Sequence, residues 1–215
     1  MPNFSIERRC VGIVCGIDEA GRGPLAGPVV AAAVILDQQR FPRSLRQRLD
    51  DSKLLTIEER EACWRALGRC VERGAAQIGI GAASVREIDR VNILRAALLA
   101  MARAVASLKV PPEIALVDGN IPPPLACPVR TVVGGDGLSF SIAAASVIAK
   151  VTRDRSMRAL ARNYPGYGWE TNVGYATPEH SQALARLGPT PHHRRSFAPV
   201  RLALGEELPL LAALS

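Results

Sequence analysis

Two short apolar runs, residues 11–17 and 27–36, lie near the start of the chain, each bounded by glycine or charged residues. Runs of this length, rich in valine, isoleucine and alanine, predict buried strands rather than helices. Residues 76–82, 114–117 and 129–133 repeat the pattern and predict three more. Between them the spacing of polar groups changes. Thr56 followed by Glu59, and Ser84 followed by Glu87, have the spacing of a capping box, whose hydroxyl and carboxylate take up backbone N–H groups that a first helical turn leaves over. They predict a helix from Thr56 through Val71 and another over the apolar-rich stretch 88–108, which Pro111-Pro112 ends. Residues 139–163 predict a long, mostly apolar helix, and Thr177-Pro178 a further helix start with proline at its first position. Strands alternating with helices in this way make an α/β domain.

Candidate chemistry begins at the end of the first run, where Asp18 and Glu19 precede Gly21-Arg22-Gly23. A strand giving way to a turn is an unusual place for two charges. Successive strand residues point to opposite faces, so the two carboxylates are expected to converge only if the chain leaves regular β geometry between them. The glycines allow such a bend and a close approach by a ligand. Asp118 is delivered to the end of the strand at 114–117, and Asp136 follows Gly134-Gly135 just ahead of the long helix. Taken alone, Asp118-Gly119 and Asp136-Gly137 are also common turn dipeptides. Several carboxylates placed at strand ends and glycine turns offer hard oxygen ligands to a divalent cation such as Mg²⁺. Carboxylates suit such hard cations, whereas histidine and cysteine do not.

Further motifs follow in order: Asp51-Ser52-Lys53, Glu87-Ile88-Asp89, Val117-Asp118-Gly119-Asn120, Gly135-Asp136, the run from Ala143 through Lys150 to Arg155, Gly174-Tyr175, Glu179-His180, and Gly188-Pro189-Thr190 with His192-His193-Arg194-Arg195. The ordered set resembles ribonuclease HII, the family that cuts the RNA strand of RNA–DNA hybrids and nicks duplex DNA 5′ to embedded ribonucleotides, leaving 3′-hydroxyl and 5′-phosphate ends. The resemblance implies a ribonuclease-H-like fold, a central mixed β-sheet flanked by helices with a C-terminal helical region. It implies a domain over residues 11–202 and a tail over 203–215. It assigns Asp18, Glu19, Asp118 and Asp136 to the catalytic carboxylates, with the first three as metal ligands for Mg²⁺ or Mn²⁺, two per site during catalysis. Gly21, Arg22, Gly23, Lys53 and Tyr175 become substrate-binding residues, the glycine loop reading the ribonucleotide and Tyr175 packing on the next sugar. Asp154, on a helix beside arginines, becomes a supporting residue behind the ligands. Gly134 and Val173 stand where lysine is common in the family, so Val173→Lys is expected to tighten binding if the lysines missing there act on phosphates. Rival readings are the related ribonuclease HIII, a junction-resolving nuclease on the same fold, or a nucleic-acid-binding protein without catalysis.

Composition changes this picture little. Lys and Arg outnumber Asp and Glu by 27 to 20, a net charge of +7, which favours a phosphate-backbone partner. No apolar run reaches the length of a membrane span, and residues 1–9 lack a secretory signal, so a cytoplasmic protein is expected. Taken with the resemblance, it is expected to be a monomer acting on RNA–DNA hybrids and ribonucleotide-containing duplexes, with no membrane partner. The five cysteines lack C-x-x-C spacing and read as packing residues, with Cys63 and Cys70 on one helix face. His180, His192 and His193 read as hydrogen-bonded structural or surface groups, and Arg194-Arg195 as a basic run open to phosphate.

Overall fold

The computed structural model describes residues 1–49 and 55–206. Five strands form one sheet in the order β3-β2-β1-β4-β5, with β1 Val14–Ala20, β2 Val29–Leu36, β3 Ala76–Ala83, β4 Ile114–Asp118 and β5 Val129–Val132. The first three strands pair antiparallel, whereas β1 pairs parallel with β4 and β4 with β5. The sheet is therefore mixed, and β1 lies at its centre.

The carboxylate pair does not leave the strand. β1 continues through it, with Asp18 opposite Ala32, Glu19 opposite Ala31 and Ala20 opposite Val30 of β2. The parallel ladder on the other side ends three residues sooner, with Ile17 opposite Val117. The expected turn thus begins three residues late, because β2 supplies a partner for β1 beyond the point where β4 stops.

Helices cover both faces. The capping boxes at Thr56 and Ser84 are both formed, opening α2 Ile57–Glu72 and α3 Val85–Val91 after the short α1 Arg43–Arg46. Each cap stabilises its helix by about 1 kcal/mol. The stretch 88–108, expected as one helix, is two. Asn92, at φ 69°, ends α3 and accepts the Arg95 N–H at 3.0 Å to open α4 Ile93–Ala106. Asparagine tolerates positive φ and caps well, so one residue performs both functions. The long helix α5, Phe140–Asn163, is capped by Ser139. Cys63, Leu67 and Cys70 of α2 and Ala144, Ile148 and Val151 of α5 pack on one side of the sheet, against Ala32 and Val34. On the other side Ala96, Ala100 and Met101 of α4 pack against Cys15 and Ile17.

The C-terminal region carries α6 Trp169–Asn172, α7 Pro178–Leu187 and α8 Ala198–Ala203. Thr177 caps α7 as expected, whereas α1, α6 and α8 are too short for a periodic signal. No described helix is long and apolar enough to cross a membrane. All five cysteines are free.

Candidate active site

Alternation along β1 sets the first geometry. Gly16 and Asp18 face α5, and a Cβ at Gly16 would lie 2.1 Å from the Ser141 carbonyl carbon, so only glycine lets the helix approach this closely. Asp18, 5% exposed, therefore sits under α5. Cys15 and Ile17 pack toward α4, and Glu19 shares that direction, bordering a small hollow with Leu94, Leu98 and Met101. The two carboxylates remain on opposite faces of one strand. They share a cleft because Asp18, Glu19 and Asp118 all line its rim where β4 ends.

Three segments distant in sequence bring Asp18, Asp118 and Asp136 together, with one carboxylate oxygen from each within 4.8 Å of the others. Asp18 comes from β1, Asp118 from the last position of β4, and Asp136 from a single 3-10 turn, Gly135–Gly137, ahead of α5. Backbone N–H groups fix their orientation. Glu19 N–H donates to Asp18 Oδ1 at 2.7 Å, Gly135 N–H to Asp118 Oδ1 at 2.7 Å, and Gly137 N–H to Asp136 Oδ1 at 3.0 Å. Burial pushes the Asp18 carboxyl well above its ordinary range, and the neighbouring Glu19 and Asp118 charges push it further. Burial also raises Glu19, against the opposing pull of Arg22, whose guanidinium lies 3.3 Å from its carboxylate. Carboxylates crowded in this way store repulsion that a divalent cation relieves, and a donor set of carboxylate oxygens without histidine or sulfur suits a hard ion.

Gly21, Arg22, Gly23, Lys150 and Tyr175 complete the cleft, which encloses about 230 Å³. Tyr175 is 42% exposed, and the Lys150 ammonium lies 5.5 Å from its ring centroid. Asp154 lies outside the carboxylate cluster. It pairs with Lys150 at 3.1 Å and lies 3.8 Å from Arg153. Lys53 falls outside the described residues, as do Asp51, Ser52 and Leu54.

Sequence reasoning missed Ser146, Lys150, Arg153 and Arg194. The first three, with Asp154, recur at i, i+4, i+7 and i+8 along α5, a polar stripe that begins within its apolar first half and is visible in the sequence. Arg194 gave no such signal and corrects an expectation. It is fully buried and donates to the Gly21, Arg22 and Gly27 carbonyls, so its side chain is not a phosphate contact. Only Arg195 of the pair is exposed.

Val173 is 6% exposed, packs among Met157, Tyr167 and Trp169, and adopts φ 42°. A lysine there would have to carry its amine out past those rings before it met a phosphate, against the expected gain in binding. Gly134, at φ 65°, has nothing within 4 Å of a built Cβ, so glycine there serves the left-handed turn that sets up Asp136.

The histidines are structural. Thr190 N–H donates to His193 Nδ1 at 2.9 Å, which leaves the proton on His193 Nε2 to meet His180 Nε2 at 3.0 Å. His180 in turn carries its proton on Nδ1 and donates to the Tyr175 carbonyl at 2.8 Å. The pair thus ties the Tyr175 segment to residues 190–193.

The chain is similar to known proteins along most of its length. The sequence profile of the family described as Ribonuclease HII matches residues 15–200. Ribonuclease HII of Paramagnetospirillum magneticum is 62% identical over 200 residues, covering 93% of this chain and 97% of that protein. Ribonuclease HII of Rhodospirillum rubrum is 59% identical over 204 residues, covering 95% and 92%. Among solved structures, the ribonuclease H2 of Pyrococcus horikoshii superposes with a TM-score of 0.72 at 28% identity, covering 89% of this chain and 96% of that one. A profile match over most of the chain, relatives at this identity and the same fold lead to one conclusion: the chain belongs to the ribonuclease HII family.

Proposed function

We propose that the chain is an endonuclease that hydrolyses the RNA strand of RNA–DNA hybrids and nicks duplex DNA on the 5′ side of an embedded ribonucleotide, in ribonucleotide removal during replication and repair. One observation carries the reading: Asp18, Asp118 and Asp136 converge to within 4.8 Å. The cleft beside them is lined by a glycine loop and an exposed tyrosine.

Asp18, Asp118 and Asp136 would hold Mg²⁺ or Mn²⁺, with Glu19 reaching the rim from the opposite face of β1. Divalent cations bound there would supply charge neutralisation at the phosphate, a more acidic water and stabilisation of the leaving oxygen. The chain's own residues do the rest. In the reaction a water oxygen bonds to phosphorus and the bond to the 3′-oxygen of the preceding nucleotide breaks. That oxygen takes up a proton, leaving a 3′-hydroxyl and a 5′-phosphate. Lys150, held by Asp154, places a positive charge at the cleft wall where the strand's phosphates pass. Tyr175 offers its ring face to a sugar, and the backbone of residues 21–23 meets the 2′-hydroxyl that marks the ribonucleotide.

The test is incubation with a DNA duplex carrying one ribonucleotide, in Mg²⁺, Mn²⁺ or chelator, with the product ends mapped. Cleavage 5′ to the ribonucleotide in metal alone is expected. Cleavage of all-DNA duplex, or cleavage that survives chelation, contradicts the proposal.

A further inference from the structure

The glycine loop turns its Gly21 and Arg22 carbonyls into the protein onto the buried Arg194, and a second buried arginine, Arg153, holds the carbonyls of Ala26 and Pro28 just beyond it. Arg194 Nε donates to Gly27 O at 3.0 Å, Nη1 to Arg22 O at 2.8 Å, and Nη2 to Gly21 O at 2.5 Å and Pro28 O at 3.3 Å. Arg153, reaching from α5, donates through Nε to Pro28 O at 3.1 Å, Nη2 to Ala26 O at 3.1 Å and Nη1 to Val173 O at 3.0 Å. Both side chains belong to residues with 0% exposure. Among the described residues Arg194 has no carboxylate within ion-pair distance, and the nearest to Arg153 is Asp154 at 3.8 Å. Burial, with the neighbouring Arg153 charge, pulls Arg194 down to about 9.

Two buried guanidinium groups so thinly paired are a costly way to fill space, since an apolar side chain would pack there without desolvating a charge. What they achieve is directional. In a trans peptide the carbonyl of one residue and the N–H of the next point opposite ways. Holding Gly21 O and Arg22 O inward therefore turns the N–H groups of Arg22 and Gly23 away from Arg194, on the exposed side of the loop. Among the described residues neither N–H has a hydrogen-bond partner. Gly21 makes the approach possible: at φ 98°, a Cβ there would lie 2.0 Å from Arg153 Nε.

We infer that Arg153 and Arg194 are positioning residues for ribonucleotide recognition: Arg194 holds the Gly21 and Arg22 carbonyls inward and Arg153 braces the adjoining segment 26–28 and Val173, so that the Arg22 and Gly23 N–H groups stand preset for the 2′-hydroxyl and adjoining phosphate oxygens. The inference rests on the proposed role of that loop, and its test separates the two. Arg194→Lys and Arg153→Lys keep the charge but cannot span several carbonyls. Leu67→Ala, in the core between α2 and α5, is a control for lost stability. Gly23→Ala probes the loop directly, because its Cβ would meet only Tyr175 at 3.8 Å in the free protein and yet would stand where a ribose approaches.

Two quantities are measured: kcat/KM on the single-ribonucleotide duplex, and, in chelator, the binding ratio of that duplex to its all-DNA counterpart. Both lysine variants should lose about 10–100-fold in kcat/KM, as a displaced positioning group does, with the binding ratio falling toward one. Leu67→Ala, however much its melt is lowered, should keep the parental ratio. If Arg194→Lys does not fold, Arg153→Lys decides, since it gives up fewer bonds. Lysine variants that keep the parental ratio while Gly23→Ala loses it overturn the inference alone. A Gly23→Ala variant that also keeps the ratio overturns the role of the loop, and the inference with it.

Discussion

Tyr175 stands at the cleft with its ring exposed and its backbone carbonyl held by His180, so the side chain is presented rather than packed. If its face stacks on the sugar beyond the cut, Tyr175→Phe should stay competent. Tyr175→Ala should lose about 1–3 kcal/mol of stacking. The alanine variant should be slowed most on a single-ribonucleotide duplex and less on a long hybrid, where many registers are productive. Comparing both variants on both substrates checks this, and equal loss in the two would move the role to the hydroxyl. At this scale the sequence was legible where chemistry is carried by residue type. Asp18 and Glu19 stand out as adjacent charges at the end of an apolar run, whereas Asp118 and Asp136, each in a common Asp-Gly turn dipeptide, were marked only by the ordered resemblance. Arg194 was not legible, since an arginine in a basic run reads as solvated until the loop that buries it is known. Val173 was misjudged for the same reason: whether a side chain faces a phosphate or a tryptophan is a tertiary fact.

At the scale of elements, the His180–His193 contact joins α7 to the segment that carries Arg194. Burial, with the charges of His180 and His192, lowers His193 to about 4. A group whose folded pKa is depressed stabilises fully above its unfolded value and loses that contribution as pH falls through the folded one. The protein should therefore lose on the order of 3 kcal/mol from this residue as pH falls from about 6.5 toward 4. Urea melts of the parent and His193→Gln across that range should converge as pH falls, and parallel curves would contradict the assignment. Element boundaries were legible where caps declare them: Thr56, Ser84, Ser139 and Thr177 all open helices. The break at Asn92 was hidden, because the apolar periodicity runs on across it while a single backbone angle reverses. The extent of β1 was hidden too, since it depends on how far β2 runs alongside.

For the whole molecule, the sheet order decides the site. The pattern of short apolar runs gives strands but not their neighbours, and the central mixed sheet was implied only by the resemblance. Because β1 lies between an antiparallel and a parallel partner, the ends of β1 and β4 fall together, and the turn ahead of α5 closes over both. That topology concentrates negative charge at one place on a chain of net charge +7. Without cations the arrangement costs stability, with a definite sign. A carboxyl whose folded pKa is raised, as Asp18's is, stabilises below its ordinary value of 3.8 and loses that contribution as pH rises through the folded value. The stabilisation gained on adding Mg²⁺ should therefore grow as pH rises across that range, in melts with and without the ion. A gain independent of pH would place the ion elsewhere.

The central claim is that the three aspartates hold the cation that drives cleavage, and Asp118→Asn tests it most directly. The substitution removes one charge from the cluster with little change of shape. The variant should melt at or slightly above the parental temperature in chelator, lose most of the shift that Mg²⁺ gives the parent, and lose most cleavage of the single-ribonucleotide duplex. A variant that cleaves at the parental rate, with the parental shift in Mg²⁺, would contradict the account.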